Sequence, residues 1–513
     1  MLVLDIKSIL LYTIPMENEK ILPEDLRGVH IHFVGIKGTG MAALVEILVS
    51  RGAVITGSDV SERFYTDEIL EALHLRAVPF SRENITDEIQ YVVYSSAYNV
   101  LENPDLIAAS ERHIPCLLYT EALGSYSALA YSCGICGVHG KTSTAGIAGT
   151  VLAQLPLPSQ VLAGSVIHSF GERCTFTSPD CLSAARHYFV AETCEYQRHF
   201  MSFCPQKIVL TSVESDHQDY YPTFADIQNA FVDYICRLPE GGALIFCADD
   251  SGAFETAQIA KKRRPDITMI PYGERAAGEY HLEFTGVVDE KNTFSLQSLG
   301  DLAISVPGKH EVRDAAAALA LVSEILKTDG KNPLDYKEEI RNGLKNFSGG
   351  KRRSEVVGEF KTHSGVSVVV LDDYGHHPTA IKTTLKGYRE FYKGRKIIVD
   401  FMSHTYSRTE SLLSEFAASF SDADVVVLHK IYASARERPA DFTITGKTLF
   451  EETKKHHKNV HYFEEILDAQ DFVLKELEGV SSFEYPKGCL LVTMGAGDNW
   501  RLGNAILGAM TNE

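Results

Sequence analysis

The stretch Cys136 to Gly146, "CGVHGKTSTAG", decides the fold class of this chain. Its centre reads Gly137-x-x-Gly140-Lys141-Thr142, a glycine-rich turn ending in a lysine and a hydroxyl. The apolar run "ALAYSCGIC", Ala128–Cys136, precedes it, and the helix-forming "AGIAGTVLAQL", Ala145–Leu155, follows. That order predicts strand, loop and helix. Such a loop aims backbone N–H groups, from Val138 and His139 through Ser143, and a helix N-terminus at an anion. Lys141 is placed to meet outer phosphates and Thr142 to ligate Mg²⁺. A complete P-loop carries a glycine five residues before Gly140, where this chain has Ile135. The competing reading is an ordinary glycine-rich turn.

At 513 residues the chain exceeds what one hydrophobic core serves, which predicts three domains. With 45% hydrophobic and 23% charged residues, the composition is that of a globular protein. A net charge of -19 argues against nucleic-acid and anionic-membrane partners, which require a basic face, and directs attention to small substrates. No segment approaches the roughly 20 apolar residues of a membrane span. The opening "MLVLDIKSILLYTIPM", with Asp5 and Lys7, reads as a dispensable extension ahead of a start at Met16. Ten cysteines lie mostly in apolar runs, which predicts buried thiols and a cytoplasmic location. The lone C-x-x-C of Cys133 and Cys136 has an odd separation that would point the two thiols to opposite faces of a strand, so core packing is expected.

Outward from the loop, the chain divides into blocks 1–125, 126–347 and 348–513, each with alternating strand and helix patterns. The expected fold is α/β: a Rossmann-like first domain, a central mostly parallel sheet of P-loop type, and a Rossmann-like third domain. The first block opens with "HIHFVGIKGTGMAALVEILVSRGAVITGSD", a βαβ unit with Gly35, Gly38, Thr39, Gly40 and Met41 in its turn and Asp59 at the end of its second strand. Its glycines read G-x-x-G-x-G, so the dinucleotide fingerprint is not met, although the turn can still bind a diphosphate. Ser95 and Ser96 close a further strand, where ligands of open α/β sheets gather.

Two strand ends of the second block supply candidate metal ligands: Glu192 and Glu195 in "VAETCEYQ", and Glu214, Asp216, His217 and Asp219 in "TSVESDHQDYY". Mg²⁺ prefers oxygen, so His217 needs carboxylate company, which Glu192 can supply. The third block presents Asp372, Asp373, His376 and His377 in "LDDYGHHPTA", with Pro378 starting a helix, and His404 and Arg408 in "FMSHTYSRTE". The acid-rich turn with its two histidines could bind metal by itself, and Arg408 can recognise an anion bidentately.

Together "GIKGTGM", "GSD", "YSSA", "GVHGKTST", "DHQDYY", "RRSE", "DDYGHHPTA", "SHTYSRT" and "GAGD" resemble, in order and from His30 onward, the motifs of the Mur ligase family. The resemblance implies an N-terminal UDP-sugar domain, a central ATPase domain and a C-terminal domain that admits an amino acid and closes over ATP. It implies transfer of the ATP γ-phosphoryl group to the lactyl carboxylate of UDP-N-acetylmuramate and attack of the L-alanine amine on the acyl phosphate, by a monomer or homodimer. By the same resemblance, Lys141, Glu192, His217 and Arg353 are catalytic, and Thr142, Glu192 and His217 hold Mg²⁺. The nucleotide is met by residues 137–143, Arg353 and Asp373. His376, His404 and Arg408 line the side where alanine enters, with His376 also near the nucleotide.

The chain departs from the family where "GKHEVRDA" places Glu311 and Asp314 at two expected asparagines, where "AETCEYQ" replaces "EADESD", and where "TSV" replaces "TN". Both acids are read as lying in the first turn of a helix, favoured there by its dipole. The alternatives are a murein peptide ligase attaching a recycled tripeptide, a catalytically impaired nucleotide-binding relative and an NAD-dependent dehydrogenase, the last disfavoured by the glycine spacing.

Overall fold

The fold is built on strands that read as short apolar runs and end in turn residues, as parallel strands buried on both faces must. A computed structural model describes residues 21–511 apart from 185, 219, 434–436 and 438. The N-terminal extension with Asp5, Lys7 and Met16, and the candidate ligand Asp219, lie outside the described residues. The chain forms three α/β domains, each around its own main sheet.

The first sheet takes β1 (His30–Val34), β2 (Val54–Ser58), β3 (Tyr91–Tyr94) and β4 (Cys116–Leu118) in the order β2-β1-β3-β4, all parallel. The central sheet holds β5 (Tyr131–Cys136), β6 (Ser159–Ile167), β7 (Arg173–Thr177), β8 (Tyr188–Glu192), β9 (Lys207–Leu210), β10 (Ala243–Cys247) and β11 (Thr268–Tyr272), ordered β11-β10-β9-β5-β8-β6-β7. Only β7, at the edge, runs antiparallel. β5 lies in the middle, with Ile135 level with Glu192 of β8 and Cys136 level with Leu210 of β9. The carboxyl ends of three neighbouring strands therefore deliver the glycine loop, the Glu192–Glu195 turn and the Thr211–His217 segment to one crevice.

The helix Lys141–Leu152 that follows the loop is buried from Thr142 to Leu152, packed between β6 and the helices Lys309–Thr328 and Lys337–Asn346. The alanine run Ala315–Ala318 lets the long helix lie close against it. A small antiparallel sheet of β12 (Leu282–Val288), β13 (Lys291–Leu296) and β14 (Gly300–Ile304) also packs on that long helix. It was not expected from the sequence.

The third sheet is β15 (Glu355–Lys361), β16 (Ser367–Asp373), β17 (Arg395–Phe401), β18 (Val425–Leu428), β19 (Val460–Tyr462) and β20 (Gly488–Met494) in the order β15-β16-β20-β17-β18-β19, parallel except for β15. Asp373, Met494 and Phe401 end level on adjacent strands, so "DYGHHP", "GAGD" and "SHTYSRT" emerge side by side. Cys133 and Cys136 are both fully buried in β5 with free thiols.

Candidate active site

The loop after β5 has the backbone its glycines allow. Gly137 (φ 140°) and Gly140 (φ 80°) occupy the left-handed half of backbone space, and a side chain at Gly140 would collide with the Asp314 carboxylate. Gly140 is also the N-cap of the helix Lys141–Leu152 and brings no side-chain acceptor to its first N–H groups, which suits an external anion. Thr211 Oγ1 donates to the His139 carbonyl (2.5 Å) and Ser212 Oγ accepts from the His139 N–H (2.8 Å). The "TSV" that departs from the family pattern thus clamps the loop.

Lys141 Nζ donates to the Gly137 carbonyl (2.5 Å) and to Glu195 Oε2 (2.9 Å). Burial opposes the Lys141 charge, yet Glu195 and Glu192 hold its pKa above the usual lysine range. Burial likewise pushes Glu195 up, but Lys141 and His217 outweigh it, and the carboxylate titrates below its ordinary range. Glu195 Oε1 lies 3.3 Å from His217 Nε2, and His217 itself sits at φ 53°. Glu192 turns the other way: its Oε2 accepts from the Thr142 hydroxyl (2.8 Å) and from the Gly164 N–H (2.8 Å). Two pairs, Thr142 with Glu192 and His217 with Glu195, stand where the sequence suggested Glu192 and His217 together. A hydroxyl and two carboxylates are the hard oxygen donors that Mg²⁺ takes.

Beside the loop, Thr142, Ser143, Glu311 and Arg353 line a small, closely packed cavity. Ser143 Oγ donates to Glu311 Oε1 (3.0 Å), while Glu311 Oε2 is buried without a partner among the described residues. The helix runs Lys309–Thr328, so only Glu311 lies in its first turn. This corrects the expectation for Asp314, which lies a turn further on, against Gly140. Burial raises the pKa of both acids, and the Glu311 charge raises Asp314 further.

From the third sheet, Arg408 reaches across to the central domain: its Nη2 donates to Asp216 Oδ1 (2.9 Å), and its buried Nε has no partner among the described residues. Burial raises the Asp216 pKa, but Arg408 and His217 pull it far below the usual range. His376 Nδ1 is 2.8 Å from the Tyr374 carbonyl, and burial, then Arg408, hold its ring well below the usual histidine pKa. The His376 and His404 rings are 6.2 Å apart. Asp373 is engaged by its own surroundings: Ser354 N (2.8 Å), Gly375 N (2.7 Å) and Tyr388 Oη (3.3 Å) all donate to it. Backbone strain gathers here, with Arg352, Ser354 and Thr405 at φ 57°, 50° and 68°.

A second cleft of about 170 Å³ opens at the end of the first sheet, lined by Gly38, Thr39, Gly40, Met41, Ser95 and Ser96, with Tyr119 and His199. Gly35 and Asp59 stand behind that lining, Asp59 accepting from the Lys37 N–H (2.7 Å) and the Tyr98 hydroxyl (3.0 Å). His199 comes from the central domain, and nothing in its sequence surroundings announces it.

Family models match the chain in three consecutive parts: "Mur ligase family, catalytic domain" over 30–131, "Mur ligase middle domain" over 135–322 and "Mur ligase, glutamate ligase domain" over 352–497. The UDP-N-acetylmuramate–L-alanine ligase of Treponema pallidum is 47% identical over 495 residues, 96% of this chain and 99% of that one. Among solved structures, the fold is shared with UDP-N-acetylmuramate-alanine ligase MurC from Thermotoga maritima (TM-score 0.71, 22% identity, covering 94% of this chain and 99% of that one). It is also shared with a murein peptide ligase from Psychrobacter arcticus (TM-score 0.62, 20% identity, covering 95% and 99%). With the three domains, the clamped phosphate loop and the near-full-length identity in agreement, this chain belongs to the Mur ligase family.

Proposed function

We propose that this protein joins L-alanine to the lactyl carboxylate of UDP-N-acetylmuramate, using ATP, in the synthesis of peptidoglycan precursors in the cytoplasm. The observation that carries the reading is one crevice: Lys141, Thr142, Glu192, Glu195 and His217 stand at three neighbouring strand ends, bridged by Arg408–Asp216 to the third sheet, whose strand ends bear His376 and His404. In this reading residues 1–125 hold the UDP-sugar at the Gly38–Met41 and Ser95–Ser96 cleft, 126–347 hold ATP, and 348–513 bring alanine.

A carboxylate is a poor acyl donor until one of its oxygens becomes a good leaving group. The γ-phosphoryl group passes to a lactyl oxygen, ADP departs, the alanine amine attacks the carbonyl carbon, and phosphate leaves as the amide forms. Lys141 neutralises charge developing on the β- and γ-phosphates, helped by the free N–H groups after Gly140. Thr142 with Glu192, and Glu195 with His217, would hold Mg²⁺, which when bound would supply further positive charge against the phosphate oxygens. Arg353, on the wall of the small cavity with Glu311, contacts the nucleotide. The unpartnered Nε of Arg408 takes the alanine carboxylate. His376 gives its Nδ1–H to the Tyr374 carbonyl, which leaves its Nε2 as a hydrogen-bond acceptor on the side where alanine enters.

The test is phosphate release from UDP-N-acetylmuramate, ATP and Mg²⁺ with each amino acid or with a tripeptide. Release that depends on L-alanine supports the reading; release with tripeptide alone assigns the chain to the murein peptide ligases, and none at all marks it as an impaired relative.

A further inference from the structure

We propose that His139, Glu214 and His377 form a binding site for a divalent transition metal of the zinc class, tying the C-terminal domain to the central one. Each residue offers one ligand atom, and the three atoms lie within 4.8 Å of one another. His139 stands in the glycine loop after β5, and its Nε2 faces Glu214 Oε1. Glu214 comes from the segment after β9, and His377 is the N-cap of the helix Pro378–Phe391 in the third domain. His377 Nδ1 is 3.4 Å from Glu214 Oε1, and the two imidazole rings are 5.4 Å apart.

Two features favour a metal over a simple polar bridge. His377 is 6% exposed, its Nε2 has no partner among the described residues, and its Nδ1 has only long contacts of 3.4 Å, to Thr379 N and Glu214. A buried imidazole left so loosely bonded is uncommon. The other Glu214 oxygen is held by the Thr379 hydroxyl (3.1 Å), the outer hydrogen bond that orients ligating carboxylates. Two imidazoles and one carboxylate match the three-ligand zinc sites that keep a fourth position open. Mg²⁺, which takes oxygen, is disfavoured by that donor set. None of the three side chains hydrogen-bonds to Lys141, Thr142, Glu192 or Glu195 among the described residues, so this site is separate from the donors assigned to Mg²⁺.

The experiment titrates the metal-free full chain with Zn²⁺ alone, against a chromogenic chelator and in excess Mg²⁺, with zinc-edge X-ray absorption on the loaded protein. The expected result is one Zn²⁺ per chain bound through nitrogen and oxygen. Glu214→Gln and His377→Asn, the latter keeping an N-cap acceptor, should each weaken it about tenfold or more. If His377→Asn fails to fold, the absorption spectrum and Glu214→Gln still decide. Absence of a stoichiometric site, sulfur ligation by any of the ten cysteines, or unchanged affinity in a folded variant overturns the proposal.

Discussion

Lys141 carries two burdens, the charge of the phosphate site and the neutralisation of buried Glu195, with side chains 13% and 3% exposed. Lys141→Ala is therefore expected to abolish phosphate release and also to destabilise the fold, by up to about 3–5 kcal/mol, because buried Glu195 loses its lysine partner and keeps only His217. UDP-sugar binding, measured by calorimetry well below the melting temperature, should persist, since the first cleft uses other loops; near-normal turnover would remove Lys141 from the chemistry. Glu311 and Asp314 give a pH signature. Their folded pKa values are raised, so they favour the folded state fully below about pH 4, the unfolded carboxylate range, and that contribution is lost as pH rises through the folded values. Buried His310, lowered by burial and Arg313 to about 4, works in the opposite direction between its folded value and the unfolded one near pH ~6.5. Comparison with the Glu311→Asn/Asp314→Asn variant isolates the acids. Its urea midpoint should fall less than the wild-type midpoint between pH ~5 and ~8, and its KM for ATP should change while that for L-alanine stays put. Equal slopes would mean the two carboxyls are not kept neutral by the fold.

At the scale of the element, the strand–loop–helix around Gly137–Lys141 works because glycine is the residue that fits it. Gly140→Ala places a methyl group at φ 80° against Asp314, and a loss of roughly 1–3 kcal/mol is expected in thermal melts, together with weakened ATP binding. An unchanged melting temperature would show that the loop tolerates another backbone. This element was legible in the sequence because its apolar run, glycines, lysine and helix formers are contiguous. The βαβ unit at His30–Ser58 and the start of the helix at Pro378 were legible for the same reason. The roles of Glu192 and Glu195 were not: three residues apart on a turn, they point to Thr142 and to Lys141 by backbone geometry that no spacing encodes. Nor was the β12–β14 sheet, whose Asp289–Glu290 turn has both residues at positive φ without a glycine or asparagine to signal it.

Across the whole molecule, the crevice depends on contacts between residues far apart in the chain, and these left no trace in the sequence. Arg408 meets Asp216 across 192 positions, and Asp216, read as a metal ligand, is committed to that ion pair. Arg408→Ala is expected to raise the apparent KM for L-alanine more than that for ATP, because it removes the buried, unpartnered Nε donor and the ion pair to Asp216. A larger rise for ATP would reassign "SHTYSRT" to the nucleotide. The mostly parallel sheets, by contrast, followed from the alternating strand and helix patterns, and the motifs read as lying at the ends of their strands. The most direct measurement of the central claim uses UDP-N-acetylmuramate labelled with oxygen-18 in the lactyl carboxylate, together with ATP, Mg²⁺ and L-alanine. If the carboxylate is phosphorylated and then displaced by the amine, phosphorus NMR will show one labelled oxygen in each phosphate released, and one label will remain in the new amide. Unlabelled phosphate would contradict an acyl phosphate at this crevice, whatever the yield of product.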